Sequence, residues 1–418
     1  MEIRKIFVVG GGPAGMMAAI RASQFQKDVT LIEKNPALGR KLLLSGKGRC
    51  NLTNFCDLDS FLEKFSKNGE FLRDAFKKFF NQDLIDFFEK RGLELKIERQ
   101  QRVFPVTDKS NSVLSILENE LQKNKVKIIY NACLKEIVAR ENIVKGLMLT
   151  DDILIPADKI ILATGGVSYA FTGSTGEGIE IVKKLGHRVV PLGPGLVSLE
   201  TKQAYSKTLQ GITLKNIRLK FSAGNQQIIS EIGELLFTGF GISGPLVLTL
   251  SGRVADWLSK GKGVSVEIDL KPGLSKEQLD ARLLREFADT PNKSFKNTLK
   301  DLLPERLVDC FSGILDIDPV RKVNQITKQE RERIVSLLKA LKLDIIKSGP
   351  VDGAFITRGG ISLKDINPRT MESRIVSGLY FAGEMIDVDA DTGGFNLQAA
   401  FSTGYLAGES AGNTDKHG

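Results

Sequence analysis

Ile6-Phe7-Val8-Val9-Gly10-Gly11-Gly12-Pro13-Ala14-Gly15 decides how this chain begins: an apolar strand runs into a glycine turn and then into a helix of small residues. Gly10 allows the tight strand-to-helix turn, Gly12 lets backbone approach a pyrophosphate, and Gly15 lets the helix sit close to the sheet. The helix that opens at Pro13 and Ala14 turns its N-terminal N–H groups and positive dipole end toward the phosphates. A second apolar strand, Val29-Thr30-Leu31-Ile32, ends in Glu33, about 20 residues beyond the glycines, where an acid that binds ribose hydroxyls is expected. Strand, glycines, helix, strand and acid in this order predict a dinucleotide site. The competing reading, a glycine turn in an ordinary unit, also makes the start of the fold α/β.

At 418 residues the chain exceeds what one hydrophobic core usually supports, and two or three domains are expected. Its composition, 42% hydrophobic and 26% charged, is that of a soluble globular protein. No apolar run approaches the roughly 18 residues of a membrane span. Met1 to Lys5 lead directly into the first strand without a signal peptide, so the expectation is a cytoplasmic protein with no membrane partner. The net charge of +9 favours anionic partners, either the phosphates of a cofactor or a nucleic acid. Lys77, Lys78, Lys90 and Arg91 read as a solvated helix face. His187 and His417 are the two histidines, no C-x-x-C pair occurs, and no metal is expected. Cys50 and Cys56 have five residues between them, where a disulfide reductase has four, and read with Cys133 and Cys310 as reduced thiols.

Leu38-Gly39-Arg40-Lys41-Leu42-Leu43-Leu44-Ser45-Gly46-Lys47-Gly48-Arg49-Cys50-Asn51-Leu52-Thr53-Asn54 follows the acid. A segment so rich in glycine, cations and short polar side chains either wraps a phosphate-bearing ligand or lies as a surface loop, and its place after Glu33 favours the ligand. Residues 71–91 read as one amphipathic helix whose Phe76, Phe79, Phe80, Leu84, Phe87 and Phe88 pack in the core. A helix of about 112–123 precedes strands near 126–130, 134–140 and 143–149. Lys159-Ile160-Ile161-Leu162 then ends in Ala163-Thr164-Gly165-Gly166, a layout like that of flavoproteins that bind FAD on a Rossmann-like unit. Thr172 to Gly178, before a helix of about 177–185, suits close approach to a flat ring or to phosphates, or serves as a helix cap.

From about 191 the pattern changes. Pro191, Gly193, Pro194 and Gly195 read as a linker, Ile217–Phe221 and Ile228–Phe237 as alternating strands, and 244–260, 275–289 and 327–342 as helices. Ser275/Gln278 and Thr327/Glu330 mark capping boxes. Gly378 to Glu384 then restores a strand and turn, and Thr392 to Ala400 a glycine turn opening a small-residue helix to about 411. Residues 1–190 and 350–418 are therefore expected to form one domain, with 191–349 inserted.

Taken together, Gly10–Gly15, Leu38–Asn54, Ala163–Gly178, Phe237-Thr238-Gly239-Phe240-Gly241-Ile242-Ser243-Gly244-Pro245 and Gly378–Ala400 resemble the BaiN/RdsA group of NAD(P)/FAD-dependent oxidoreductases. That group is named after bile-acid reductase and ribosomal dihydrouridine synthase and is related to aminoacetone oxidase. The resemblance implies a Rossmann-like FAD-binding domain of the glutathione-reductase kind, with an inserted β-barrel and a helical subdomain at about 272–342. It also implies a set of FAD contacts: Gly10, Gly12, Pro13, Ala14, Gly15, Glu33, Lys34, Gly39, Arg40, Lys41, Ser45, Gly46, Gly48, Arg49, Cys50, Asn51 and Thr53. Ala163, Thr164, Gly165, Gly383, Glu384, Asp387, Gly393, Gly394, Phe395, Asn396 and Leu397 complete it. Where the family commonly carries His, this chain has Gly239, so any general acid must be another group. The expected reaction is reduction of FAD by NAD(P)H and hydride transfer to an activated C=C bond, in uracil of ribosomal RNA or in a small enone. A second nucleotide fingerprint is absent, so NAD(P)H would visit transiently. A flavin amine oxidase and a non-catalytic flavin-binding or redox-sensing protein are the alternatives.

Overall fold

The computed structural model describes residues 4–351 and 353–413; His417 lies outside them. The chain forms two compact units, Met1–Gly195 with Val351–Gly418, and Leu196–Pro350.

In the first unit, β1 (Ile6–Val9) leads into α1 (Pro13–Ser23) and β2 (Val29–Ile32). β3 (Lys127–Ile129), β4 (Lys159–Leu162) and β5 (Leu379–Phe381) complete a five-stranded sheet among the described residues, in the order β5-β4-β1-β2-β3 with every pairing parallel. The four strands other than β3 are buried along their whole length, which is why they read as mainly apolar runs rather than alternating ones. The chain leaves β1 toward β2 on one side and reaches β4 on the other, so a crevice opens beyond the C-terminal ends of β1 and β4, where ligands bind in such sheets. The long helix α2 (Phe395–Gly412) lies along α1.

The second unit holds a closed barrel. Around it run Thr213–Ala223, Gly233–Phe237, Gly241–Ser243, Leu199–Thr201, Leu341–Ser348 and Val264–Asp269, which returns to Thr213–Ala223. Ile217, Leu219, Phe221 and Ala223 point inward, and a bulge at Asn216, with φ +55, keeps Leu214 on the same face. Four helices, Lys276–Asp289, Phe295–Leu299, Glu305–Leu315 and Lys328–Lys339, share one apolar core with the barrel. Both expected capping boxes are formed.

Four local expectations fail for identifiable reasons. The helix expected over 71–91 is broken at Phe79 and Phe80: the Phe79 carbonyl accepts the Ser402 hydroxyl (2.6 Å), and a new helix starts where Asp83 accepts the Phe80 N–H (2.8 Å). Pro191 to Gly195 are not a linker but part of the strand Val189–Gly195, paired with Ile356–Ile361; Pro191 and Pro194 lack N–H groups, and the register shifts between Val190 and Gly193. Ile228–Phe237 divides into two strands at Ser230–Ile232. The helix expected over 327–342 stops at Lys339 because Leu341, Leu343 and Ile345 alternate into the barrel core.

Candidate functional site

The crevice of the first unit is built on glycines with different duties. Gly10 has φ +110, and a Cβ there would overlap the Ala163 carbonyl oxygen, so β1 and β4 meet at this point. A Cβ at Gly15 would overlap the Gly10 carbonyl oxygen, which sets how closely α1 approaches the sheet. Gly12 alone of these faces open space, with nothing within 4 Å of where its Cβ would stand. It is the N-cap of α1 with no side-chain cap, and Pro13 occupies the first turn. The first turn of α1 thus presents backbone N–H groups and a positive dipole end to that space.

Glu33 is 8% exposed and already aligned. Its Oε2 accepts the Gly11 N–H (2.7 Å), and its Oε1 accepts the Asn35 backbone N–H (2.8 Å) and amide (2.6 Å). Asn35 in turn accepts from Arg40 (2.5 Å) and donates to the Thr172 carbonyl (3.1 Å), while Lys34 reaches Thr175 (2.6 Å) and Glu177 (3.0 Å). The Thr172–Gly178 loop is therefore packed against the residues after Glu33, and Gly176 caps the helix Glu177–Lys184. The Gly39 N–H donates to the Gly11 carbonyl (2.9 Å), joining the long loop to the first turn.

Within that loop Gly46, Lys47, Gly48 and Cys50 all have left-handed φ, between +57 and +83, and two of the four are not glycine. Such a run aligns successive N–H groups into a concavity and persists only where the surroundings enforce it. The Oδ1 of Asn51 and the Oγ1 of Thr164 are buried without any hydrogen-bond partner. Buried acceptors of this kind call for a donor, and the hydroxyls of a ribose- or ribityl-bearing ligand supply one. At the other end of the chain Gly394, with φ +99, would overlap the Thr53 backbone if it bore a Cβ, and Asn54 donates to the Gly393 carbonyl (3.2 Å). Gly383 packs against Ala14, its N–H held by Thr403 (3.0 Å). The start of α2 has no side-chain cap. Asn396 ties its own loop by accepting from the Ala390 N–H (3.0 Å) and donating to the Ala390 carbonyl (2.8 Å), and the Phe395 ring packs on Phe61 (4.7 Å).

Some expected contacts point elsewhere. The Arg49 guanidinium lies over Phe104 (4.1 Å) and pairs with Glu98 (2.5 Å) and Asp108 (2.6 Å). Lys41 bonds to Glu384 (2.7 Å) and Ser168 (2.6 Å), and Ser45 to the Leu42 carbonyl (2.7 Å). Cys50 is fully buried, and burial pushes its thiol up to about 12; Cys56 is a free thiol as well. Asp387 is half-buried and accepts from Asn68 (3.1 Å), with burial raising its pKa. Gly239 sits exposed in the turn between two barrel strands. His187 is a core residue: its Nδ1 lies 3.0 Å from the Val182 carbonyl and its Nε2 2.7 Å from Ser373. On the barrel, Arg218 and Lys220 stand opposite Asp269 and Glu267, so that face is balanced rather than basic.

Sequence reasoning missed Asn35 and Ser168, on loops, and Thr357, on the strand Ile356–Ile361, which orient the acids, and the helix-packing glycines. Gly404, Gly408 and Gly412 recur every four residues in α2, and at the first two a Cβ would overlap the carbonyl oxygens of Ala14 and Ala18. That spacing was a readable signal for close helix contact.

The family model described as the HI0933-like protein Rossmann domain matches residues 4–410. The chain belongs to this family. A 3-dehydro-bile acid delta(4,6)-reductase of Clostridium scindens is 32% identical over 413 residues, covering 98% of this chain and 99% of the relative. A ribosomal RNA dihydrouridine synthase of Escherichia coli is 30% identical over 415 residues, 98% of each. Among solved structures, a 3-ketosteroid delta1-dehydrogenase from Sterolibacterium denitrificans matches in fold with a TM-score of 0.55 at 12% identity, over 98% of this chain and 99% of that one. This HI0933-like chain is an oxidoreductase with a Rossmann-like fold of the FAD-binding kind and a closed six-stranded barrel. No helix among its described residues is long and apolar enough to cross a membrane.

Proposed function

We propose that this protein is a cytoplasmic flavin-dependent reductase that binds FAD in the crevice beyond β1 and β4. It takes electrons from a transiently bound NAD(P)H and saturates a C=C bond conjugated to a carbonyl. The observations that carry the cofactor reading are the open space at Gly12 and the buried, unpartnered Asn51 Oδ1 and Thr164 Oγ1. When bound, FAD supplies hydride from its reduced ring. The first turn of α1 would hold the pyrophosphate, and Glu33, already aligned by Gly11 and Asn35, the ribose hydroxyls. The start of α2 would place positive potential against the part of the ring that gains negative charge on reduction.

The names of the two relatives support the reaction class. A delta(4,6)-reductase removes ring double bonds from a 3-dehydro, hence 3-oxo, compound, and dihydrouridine is uridine whose C5=C6 bond, conjugated to a carbonyl, has been saturated. The net charge of +9 favours the polyanionic substrate, uracil in ribosomal RNA. Mass-spectrometric mapping of dihydrouridine in ribosomal RNA from cells with and without the gene tests this, with one modified position expected to vanish. Identical maps would shift the reading to a small enone. Anaerobic bleaching of the bound flavin by NAD(P)H is expected of a reductase, and its failure would favour an amine oxidase.

A further inference from the structure

The reductase reading, on which this inference rests, needs a proton as well as a hydride, because each carbon of the double bond gains one hydrogen. Most ionisable groups around the crevice are committed. Lys41 is held by Glu384 and Ser168, and the second Glu384 oxygen accepts the Thr357 N–H (2.6 Å) and the Ser168 hydroxyl (3.0 Å). Arg49 is clasped by two carboxylates, Arg40 donates to Asn35, and Cys50 is fully buried.

Tyr169 is different. It follows Ser168 on the loop leaving β4 and adopts φ +52, ψ +52, a left-handed conformation that a bulky side chain rarely takes. The loop is pinned just before it, where Thr357 Oγ1 accepts the N–H groups of Val167 (2.8 Å) and Ser168 (3.1 Å). Its ring is met edge-on by Phe171 (5.6 Å, 88°) and Phe355 (5.8 Å, 85°), which are themselves 64% and 47% exposed. Its phenol donates to no acceptor among the described residues. An enforced backbone, two exposed rings steering a third and an uncommitted O–H are what a positioned proton donor requires.

We propose that Tyr169 is the catalytic acid of the reduction, with a flat conjugated enone ring lying against the rim of Tyr169, Phe171 and Phe355. The carbon β to the carbonyl receives hydride, and with it two electrons, from the reduced flavin cofactor. Tyr169 Oη gives its proton to the α carbon, so the π bond is replaced by two C–H bonds. The cofactor is left oxidised, and the tyrosinate recovers a proton from water. Partial burial raises the phenol from its ordinary range, which keeps the proton on oxygen until substrate takes it.

The test uses the full-length FAD-loaded protein, reduced anaerobically with dithionite and mixed with either a uridine-rich oligoribonucleotide or a 3-keto-4-ene steroid, while flavin reoxidation is followed. In Tyr169→Phe, reoxidation by whichever probe the wild type accepts should slow by at least about 100-fold. FAD content, reoxidation by O₂ and the probe's binding constant should remain within about threefold, which separates lost proton transfer from lost structure. Reoxidation of Tyr169→Phe within threefold of wild type would overturn the assignment while leaving the reductase reading intact. A wild type inert toward both probes would overturn both.

Discussion

Gly12 at the start of the first unit and Gly404, Gly408 and Gly412 near its end belong to neighbouring elements yet follow opposite rules. In α2 the space of the absent side chains is taken by another backbone: a Cβ at Gly404 or Gly408 would overlap the carbonyl oxygens of Ala14 and Ala18, and one at Gly412 would stand 3.0 Å from that of Ala22. In the first turn Gly10 and Gly15 are likewise filled, whereas Gly12 opens onto nothing within 4 Å and has an ordinary extended backbone, φ −79 and ψ 180. A glycine with neither a contact nor a special φ to explain it leaves room for something the polypeptide does not supply. The α2 glycines hold α1 in place, and Gly12 makes the held helix useful.

The largest expected effect comes from filling the packed set. Gly404→Val or Gly408→Val forces α2 away from α1, and the overlap is with rigid backbone, so a loss of more than about 3 kcal/mol is expected, enough to leave little folded protein. Denaturant unfolding and soluble yield measure it. A well-folded Gly404→Val protein with unchanged midpoint would break the comparison at its root.

Gly12→Val should do the reverse. Its backbone suits valine and its Cβ meets nothing, so the thermal midpoint of the cofactor-free protein should stay within a few degrees of wild type while the yellow colour disappears. Absorbance near the flavin band and isothermal titration with FAD check this. Full FAD retention in folded Gly12→Val would show that the open space belongs to something else.

How much of this was legible follows from the same contrast. The β1 turn could be read because its duties are local: a strand, a tight φ at Gly10 and a helix within a few residues. The break at Phe79 could not, since the groups that take its carbonyl, Ser402 and Gln398, lie more than 300 residues away in sequence. The strand from Leu341 was hidden because Ile334, Val335 and Leu338 carry a helical spacing that Leu341 continues; the barrel partners at Val264–Asp269 and Leu199–Thr201 make its alternation count. Pro191 and Pro194 spelled a linker because their missing N–H groups argue against a strand, and the ladder accommodates them by slipping register. Among site residues, the glycines and Glu33 were visible, while the commitments of Arg49 to Glu98 and Lys41 to Glu384 are tertiary facts.

A smaller effect sharpens the comparison at matched positions. Gly48 (φ +83) and Gly186 (φ +92) share a left-handed backbone and an empty surrounding, but the first lies in the long loop before Asn51 and the second closes the helix Glu177–Lys184. Alanine at either should cost about 1 kcal/mol through backbone strain. Only Gly48→Ala should also weaken FAD binding, by several-fold. Equal FAD affinities in the two variants would remove the Gly46–Cys50 concavity from the site.

The smallest effect is a pH dependence that should ignore the cofactor. Burial depresses the His187 pKa below its ordinary 6.5, against the weaker opposing pull of the Val182 carbonyl and Asp365. The unfolded chain therefore takes up the proton first as pH falls. Stability owed to the neutral ring is intact above about pH 6.5 and is lost progressively as pH drops toward the folded pKa, at about 1.4 kcal/mol per unit of separation. Urea midpoints between pH 7.5 and pH 5 should fall in wild type and fall less in His187→Gln, whose amide keeps partners in reach of Val182 and Ser373. Because His187 packs edge-on against Phe381 in the core of β5 rather than in the crevice, saturating FAD should raise every midpoint without changing the slope of that decline. A slope that disappears on adding FAD would place the imidazole in contact with the cofactor's binding equilibrium and not with packing alone.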